Sequence, residues 1–112
     1  MAYNVITPVK LGQGSVAASL TTRYTVPAST RALVKDITIC NTSTTVSINV
    51  SVYLVPSGGS ADATNILISN ASIPPSGTFQ WAGIQIMNAA DFIRDIASAT
   101  GCTINISGGE AV

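Results

Sequence analysis

The segment Thr45–Val55 alternates apolar and polar side chains without interruption. The apolar positions, each separated by one residue, are Val46, Ile48, Val50, Val52 and Leu54. Successive side chains of a strand point to opposite faces of its sheet, so this run predicts a half-buried β-strand. A chain whose most regular pattern has a period of two is expected to build its core from sheets.

Shorter segments with similar character lie between turn residues along the rest of the chain. They are Leu20–Val26, Arg31–Asn41, Ile66–Ile68, Thr78–Trp81, Ile84–Met87, Phe92–Ala97 and Cys102–Ser107. About eight strands separated by turns predict an all-β fold, an antiparallel β-sandwich of the jelly-roll or immunoglobulin-like kind. Lys35 and Asp36 interrupt the second of these segments, which predicts a β-bulge or a sheet-edge position there.

Residues 1–18 lack sustained periodicity and are broken by Pro8, Gly12 and Gly14. We expect an N-terminal arm over 1–18 and a β-sandwich domain over 19–112. Two interpretations of the arm stay open: a frayed terminus, or a segment that adds a strand to a partner's sheet edge. The G-x-G sequence within it predicts a flexible or tightly turning linker rather than a phosphate-binding loop.

Charged residues make up only 9% of the chain, five basic and five acidic, with a formal net charge of zero. Scattered basic residues give no electrostatic footprint for nucleic acid, so we expect no nucleic-acid partner. No apolar run approaches the ~18 residues of a membrane-spanning helix, and the start of the chain has no secretory-signal pattern. We therefore expect neither a membrane partner nor secretion.

The absence of histidine argues against catalysis and against a metal centre. It removes the commonest general base and the commonest metal ligand. Two cysteines, Cys40 and Cys102, are too few for a zinc site. The spacing of the five carboxylates selects no pair for glycoside hydrolysis. We expect no enzyme activity, no catalytic residue and no cofactor.

The surface is expected to be solvated mainly by hydroxyl and amide groups, because the chain contains 13 Ser and 13 Thr. Free-standing domains usually carry roughly 25–35% charged residues on their surface. A neutral Ser/Thr-rich surface is one interpretation of this difference. The one we favour is a subunit of an assembly, since hydroxyls are less costly to bury than charges.

The two cysteines allow a disulfide only if their strands are neighbours, with Cα atoms within about 7 Å. Proteins that stay in a reducing cytosol keep such thiols reduced. We expect two buried thiols that behave as small hydrophobic side chains.

Four stretches resemble small β-sandwich structural proteins of tailed bacteriophages. They are Tyr24–Ala32, Tyr53–Ala61, Ala90–Arg94 and Ile106–Glu110. They are similar to a Y-T-V-P-A-G-T-R-A-like turn, a Gly-rich loop, a G-D-x-I-R segment and a closing S-G-x-E. The sequence departs from that pattern at Ser29 and Ala90, where the family has glycine. A serine in the turn predicts that the backbone at Ser29 has no need of a positive φ.

The resemblance implies a virion component, either a capsid decoration (cement) protein or a module of a tail fibre or tail tip. The decoration role implies the major capsid protein as partner, a homo-oligomer with a trimer favoured, and location on the capsid surface after assembly in the bacterial host cytoplasm. The alternative role is recognition of the host surface, with Tyr24, Tyr53 and Trp81 as candidates for stacking on sugars.

Five residues are the candidate partner contacts: Arg31, Gly58, Gly59, Trp81 and Arg94. Gly58 and Gly59 form a loop tip, and loop tips carry binding in many sandwich folds. A structural ion pair is our preferred interpretation of Arg94, with Asp91, Asp36 or Glu110 as its partner, and a contact with a neighbouring subunit is the alternative.

Overall fold

The computed structural model describes residues 5–112, which form eight antiparallel strands. In chain order they are β1 Ile6–Val16, β2 Thr21–Thr25, β3 Arg31–Asn41, β4 Ile48–Val55, β5 Ile66–Ile73, β6 Thr78–Met87, β7 Phe92–Ala97 and β8 Cys102–Ala111. The predicted all-β sandwich is therefore confirmed.

The strand order distinguishes between the two expected kinds of sandwich. One sheet has the order β1-β8-β3-β6 and the other β2-β7-β4-β5, so that chain neighbours repeatedly fall in opposite sheets. This interleaving of two four-stranded sheets is that of a jelly roll, not of an immunoglobulin-like domain. We call the first the outer-rim sheet and the second the companion sheet.

The core is an aliphatic layer of valine and isoleucine between the two sheets. From β4 it receives Ile48, Val50 and Val52, as the alternation predicts, whereas Val46 precedes the strand and is exposed. β-Branched side chains suit this position because they pack well on a pleated surface.

The interruption at Lys35 and Asp36 is a change of register, which confirms the predicted bulge. Before it, Ala32 and Val34 face the core; after it, Ile37 does. One extra residue reverses which positions point inward, because side chains alternate along a strand. The alternative, a sheet-edge position, is wrong: β3 lies between β8 and β6.

Most of the segment expected to be an arm is a strand of the sandwich. β1 pairs with β8 from Ile6↔Ala111 to Val16↔Cys102, and Val5 and Val112 exchange backbone hydrogen bonds beyond its start. The structure thus places no boundary between an arm and a domain within residues 6–16. Residues 1–4 lie outside the described part of the chain.

Two left-handed residues occur where the sequence departs from the glycine-containing pattern. Ser29 has φ 56° and Ala90 has φ 70°. The prediction that the backbone at Ser29 has no need of a positive φ is wrong, since the serine adopts the left-handed conformation in the turn after Pro27. The two turns meet at one end of the sandwich, where the Ala90 amide donates to the Val26 carbonyl at 3.0 Å.

Candidate interaction surface

A buried ion pair fixes β2 to β7 at one edge of the sandwich. Arg23 donates from Nε to Asp95 Oδ2 at 2.8 Å and from Nη2 to Asp95 Oδ1 at 2.9 Å. Asp95 is 0% exposed and the Arg23 side chain 12% exposed. The hydrogen bonds from the guanidinium to Asp95 raise the pKa of Arg23.

The same arginine connects the two sheets. Arg23 Nη2 also donates to the Ser15 carbonyl of β1 at 3.0 Å. A Cβ at Gly12 would lie 2.6 Å from Arg23 Cγ, and one at Gly14 would lie 2.8 Å from Arg23 Nη1. Gly12 and Gly14 are thus part of a strand and leave room for the arginine, so the predicted linker is wrong.

Part of the outer surface of the outer-rim sheet consists of uncharged polar rows, bordered by Asp36, which accepts hydrogen bonds from Thr38 and Gln80, and by Lys10, which donates to Gln13. Two rows of side chains cross the surface in register: Gln13, Asn105, Thr38 and Gln80, then Ser15, Thr103, Cys40 and Thr78. Hydroxyl and amide groups of this kind lose less solvation free energy on burial than charges do.

Another part of that surface is apolar. One register row consists of Ile86, Leu33, Gly109 and Pro8, and Ile6 stands above it on β1. The basic residues Lys10, Arg31 and Lys35 lie around this row and are exposed. Apolar residues surrounded by polar ones are typical of surfaces that bind a partner.

Large exposed hydrophobic residues concentrate at this end of the molecule. Within residues 5–112 the large exposed hydrophobic residues are Val5, Ile6, Val46, Ile84, Ile86 and Val112. Of these, Val46 is the exception, since it lies in the loop before β4. Ile84 and Ile86 are 58% and 64% exposed, although both belong to a strand. In β6 all five residues from Ala82 to Ile86 are exposed, so this part of the strand is open on both faces.

A cavity of about 380 Å³ lies between the end of β6 and the β4–β5 region. Its walls include Leu54, Ile66, Leu67 and Gln85. Asp91 is the acidic residue of this lining, and its two oxygens accept hydrogen bonds from the backbone amides of Ser57 (2.9 Å) and Asn88 (2.8 Å). These bonds hold the β4–β5 loop against the β6–β7 turn.

The five residues singled out in the sequence do not form one site. Arg31 opens β3 in the outer-rim sheet, and Trp81 is half-buried against the core from β6. Gly58 and Gly59 are exposed in the β4–β5 loop, and Arg94 lies on the outer face of the companion sheet. Whether they contact another protein stays a prediction.

The ion pair expected for Arg94 is wrong. Its Nη2 donates to the Leu20 carbonyl at 3.2 Å, and its buried Nε has no hydrogen-bond acceptor. Register places Arg94 between Tyr53 and Thr22. The sequence did not reveal that Arg23, rather than Arg94, holds the buried carboxylate.

Ile84 and Ile86 are the surface residues that sequence reasoning missed. Two short strands were expected at 78–81 and 84–87, but β6 is continuous. With Phe79 and Trp81 packed against the core, a period of two places Met87 inward and both isoleucines outward. Treating the region as one strand would have exposed this pattern.

Cys40 and Cys102 lie on neighbouring strands, but their arrangement does not allow a disulfide between them. Cys40 is opposite Thr103, and Cys102 is opposite Asn41. Cys102 points into the core and Cys40 to the outer surface, so the side chains diverge and both thiols are free. Burial raises the pKa of the Cys102 thiol. The expectation of two buried thiols holds for Cys102, whereas Cys40 is only half-buried.

Residues 5–112 contain no cluster of three or more potential metal ligands. No helix in the same range has the length and apolar character that a membrane crossing requires.

Comparisons with known proteins relate the chain to solved structures by fold. No protein-family model matches it, and no curated protein matches it in sequence. A chain of the disulfide-linked pili known as Bacillus endospore appendages is similar with a TM-score of 0.58 and 12% identity, over 96% of this chain and 87% of that one. A chain of infectious bursal disease virus, Gx strain, is similar with a TM-score of 0.53 and 9% identity.

A chain of the T=13 particle of infectious bursal disease virus gives a TM-score of 0.51 and 10% identity. The comparison covers 96% of this protein, which spans about a third of each viral chain: 32% for the Gx strain and 30% for the T=13 particle. At these identities the similarity establishes a shared jelly-roll fold.

Proposed function

We propose that the protein is a structural subunit of a tailed-phage virion that binds the outer capsid surface as a decoration, or cement, protein. The observation that carries this proposal is the outer surface of the outer-rim sheet, with its uncharged polar rows and its exposed apolar row. The rows themselves carry no charge, so they lose less solvation free energy than charged side chains would when another protein covers them.

The proposed partner is the major capsid protein, and the proposed location is the capsid surface, after assembly in the bacterial host cytoplasm. Attachment at the junctions of capsid subunits would oppose the internal pressure of packaged DNA. Many copies acting together make weak individual contacts sufficient. A homo-oligomer, with a trimer at local three-fold positions, belongs to the same proposal. The sequence resemblance to small phage β-sandwich proteins supports it, as does the occurrence of this fold in chains of pili and virus particles.

The second candidate function is a tail-fibre or tail-tip component that recognises the host surface. It calls for exposed aromatic side chains gathered at one end of the sandwich. Among residues 5–112 every aromatic side chain is half-buried: Tyr24, Tyr53, Phe79, Trp81 and Phe92. This burial favours decoration over receptor binding.

A catalytic role is not part of the proposal, since Asp91 alone among the carboxylates lines the cavity and is bonded to backbone amides.

The copy number of the protein in purified virions tests the proposal. Calibrated peptide mass spectrometry suits the chain, because trypsin would release residues 11–23 and 24–31 as peptides ending at Arg23 and Arg31. We expect a ratio to the major capsid protein near one or a simple fraction of it. A tail protein of the same particles serves as the low-copy reference. A ratio that matches the low-copy reference would overturn the decoration proposal and support the tail-component alternative. Absence of the protein from the virion would overturn both proposals.

A further inference from the structure

β6 is an edge strand with less than the usual protection against pairing. Among the described residues it pairs only with β3. Its ten residues, Thr78–Met87, include no charged residue and no proline. Natural edge strands are normally blunted by charge, proline, bulges or short length, because their free backbone groups can pair with another chain.

The other three edge strands do have such protection. β1 carries Pro8, Lys10 and a register shift after Lys10. β2 has five residues and a register shift, and β5 has register shifts and a left-handed residue, Asn70, at φ 47°. β6 also has a register shift against β3, at residues 83–84, and beyond it Gln85, Ile86 and Met87 pair regularly with β3. The exposed isoleucines are thus on the least protected edge.

We propose that β6 pairs with β6 of a second copy of this chain, antiparallel and across a two-fold axis. With Gln85 opposite Gln85 of the second copy, each Ile84 lies opposite Ile86 of the second copy. Residues directly opposite in an antiparallel pair share a face, so the four isoleucines form one apolar cluster. The two outer-rim sheets then join into a continuous eight-stranded sheet with β6 at its centre.

The chemistry of the strand favours a second copy over a different partner. A two-fold contact requires a self-complementary surface, and a segment with isoleucine on both sides of a neutral central glutamine has that property. No like charges meet across the axis, because β6 carries none. The free backbone groups supply the hydrogen bonds, and the isoleucines supply the apolar area. This two-fold contact goes beyond the proposed role on a capsid and does not depend on it: the trimer of that proposal belongs to the capsid-bound protein, and the dimer to the protein free in solution.

The mass of the purified full-length protein in solution tests this pairing. We expect sedimentation velocity between about 1 and about 500 µM to give a mass that rises from 11.4 kDa to twice that value. Ile84→Lys and Ile86→Lys each introduce the residue that natural edge strands use to prevent pairing. Because every substitution occurs twice in the dimer, we expect each to weaken association on the order of 100-fold.

Val46→Lys is the matched control, since Val46 is 52% exposed and lies outside β6. It should associate as the parent does. At about 1 µM, where the parent is monomeric, all three variants should unfold at the parent's temperature, because only association with a second copy would separate them. Hydrogen exchange should show amides within residues 83–87 becoming protected as the parent's concentration rises, with no such change in Ile86→Lys. A parent protein that stays monomeric or forms trimers would overturn the proposal. So would isoleucine variants that associate as well as the parent, or a Val46→Lys variant that no longer associates. So would protection that does not depend on concentration.

Discussion

Arg23 and Asp95 form a two-pronged ion pair inside a core that is otherwise almost entirely aliphatic. Together with the Ser15 carbonyl, the pair links β2, β7 and β1, and so joins the two sheets along one side. Such a pair is not in itself a strong source of stability, because desolvating two charges offsets much of their attraction. Removing one partner of the pair costs more stability, because the other partner is then left in the interior as an unpaired charge.

Replacing Asp95 with asparagine should therefore be among the most destabilising single substitutions. We expect a loss of about 3–5 kcal/mol in the free energy of unfolding, the usual range for a broken buried pair. Urea denaturation measures it. Asp62→Asn, in an exposed loop, makes the same chemical change, and its free energy of unfolding should stay close to that of the parent. Similar losses in the two variants would contradict the role given to the pair.

The glycines of β1 provide a second test of the same arrangement. A methyl group at Gly12 would meet Arg23 Cγ at 2.6 Å, so Gly12→Ala should destabilise the protein by about 1–3 kcal/mol, as overpacking does. In an Arg23→Ala background the obstacle is gone, and the same substitution should cost less than about 0.5 kcal/mol. The unfolding free energies of four proteins measure this: the parent, Gly12→Ala, Arg23→Ala and the double variant. Equal costs in both backgrounds would mean that Gly12 serves another purpose.

Local pattern was sufficient to predict much of this fold. The limits of β3 and β7 and the core face of β4 follow from period-two alternation, which is set by the strand itself. Gly12-Gln13-Gly14 shows where such reasoning ends, since these glycines serve a side chain that lies in another sheet. The jelly-roll order, the choice of Arg23 over Arg94 and the outward isoleucines of β6 likewise depend on which strands become neighbours. Alternation within one strand carries no information about that choice.

Ser29 and Ala90 are positions where glycine should stabilise the protein. A non-glycine residue in the left-handed region costs roughly 1–2 kcal/mol, more than the backbone entropy that glycine loses on folding. We expect Ser29→Gly and Ala90→Gly each to raise the free energy of unfolding by about 0.5 kcal/mol. Ala28→Gly is the control: Ala28 is exposed in the same turn and has no positive φ, so glycine should cost about 0.5–1 kcal/mol there. A loss at Ser29 equal to that at Ala28 would argue against the left-handed turn.

The two thiols should differ in reactivity and should not oxidise to a disulfide with each other. Cys40 is half-buried on the outer surface, whereas Cys102 is buried and its pKa is raised by that burial. With a thiol reagent at neutral pH, we expect the native protein to release one equivalent well before the second, and two equivalents after denaturation. Cys40→Ser should eliminate the early equivalent, and Cys102→Ser should retain it. A single equivalent or none from the denatured, unreduced protein would contradict the divergent side chains.

Stability at alkaline pH should depend on Tyr24, whose hydroxyl donates to Glu110 Oε2 across the two sheets. Burial, and then this hydrogen bond, raise the pKa of Tyr24 above its ordinary value of 10.0. Above pH 10 the unfolded chain loses the phenolic proton while the folded chain keeps it, so the stability that Tyr24 contributes is complete below pH 10 and falls as the pH rises. Tyr24→Phe should cost about 1.5 kcal/mol at neutral pH through loss of a hydrogen bond to a charged group.

The difference in unfolding free energy between the parent and Tyr24→Phe should accordingly narrow from about pH 9 to about pH 11. Urea titrations at fixed temperature across that interval measure it. Tyr53→Phe is the control, because it leaves the contact between Tyr24 and Glu110 in place. Its free energy of unfolding should decline with pH as that of the parent does. A difference that stays constant or widens would show that the Tyr24 hydroxyl does not hold its proton more tightly in the folded state.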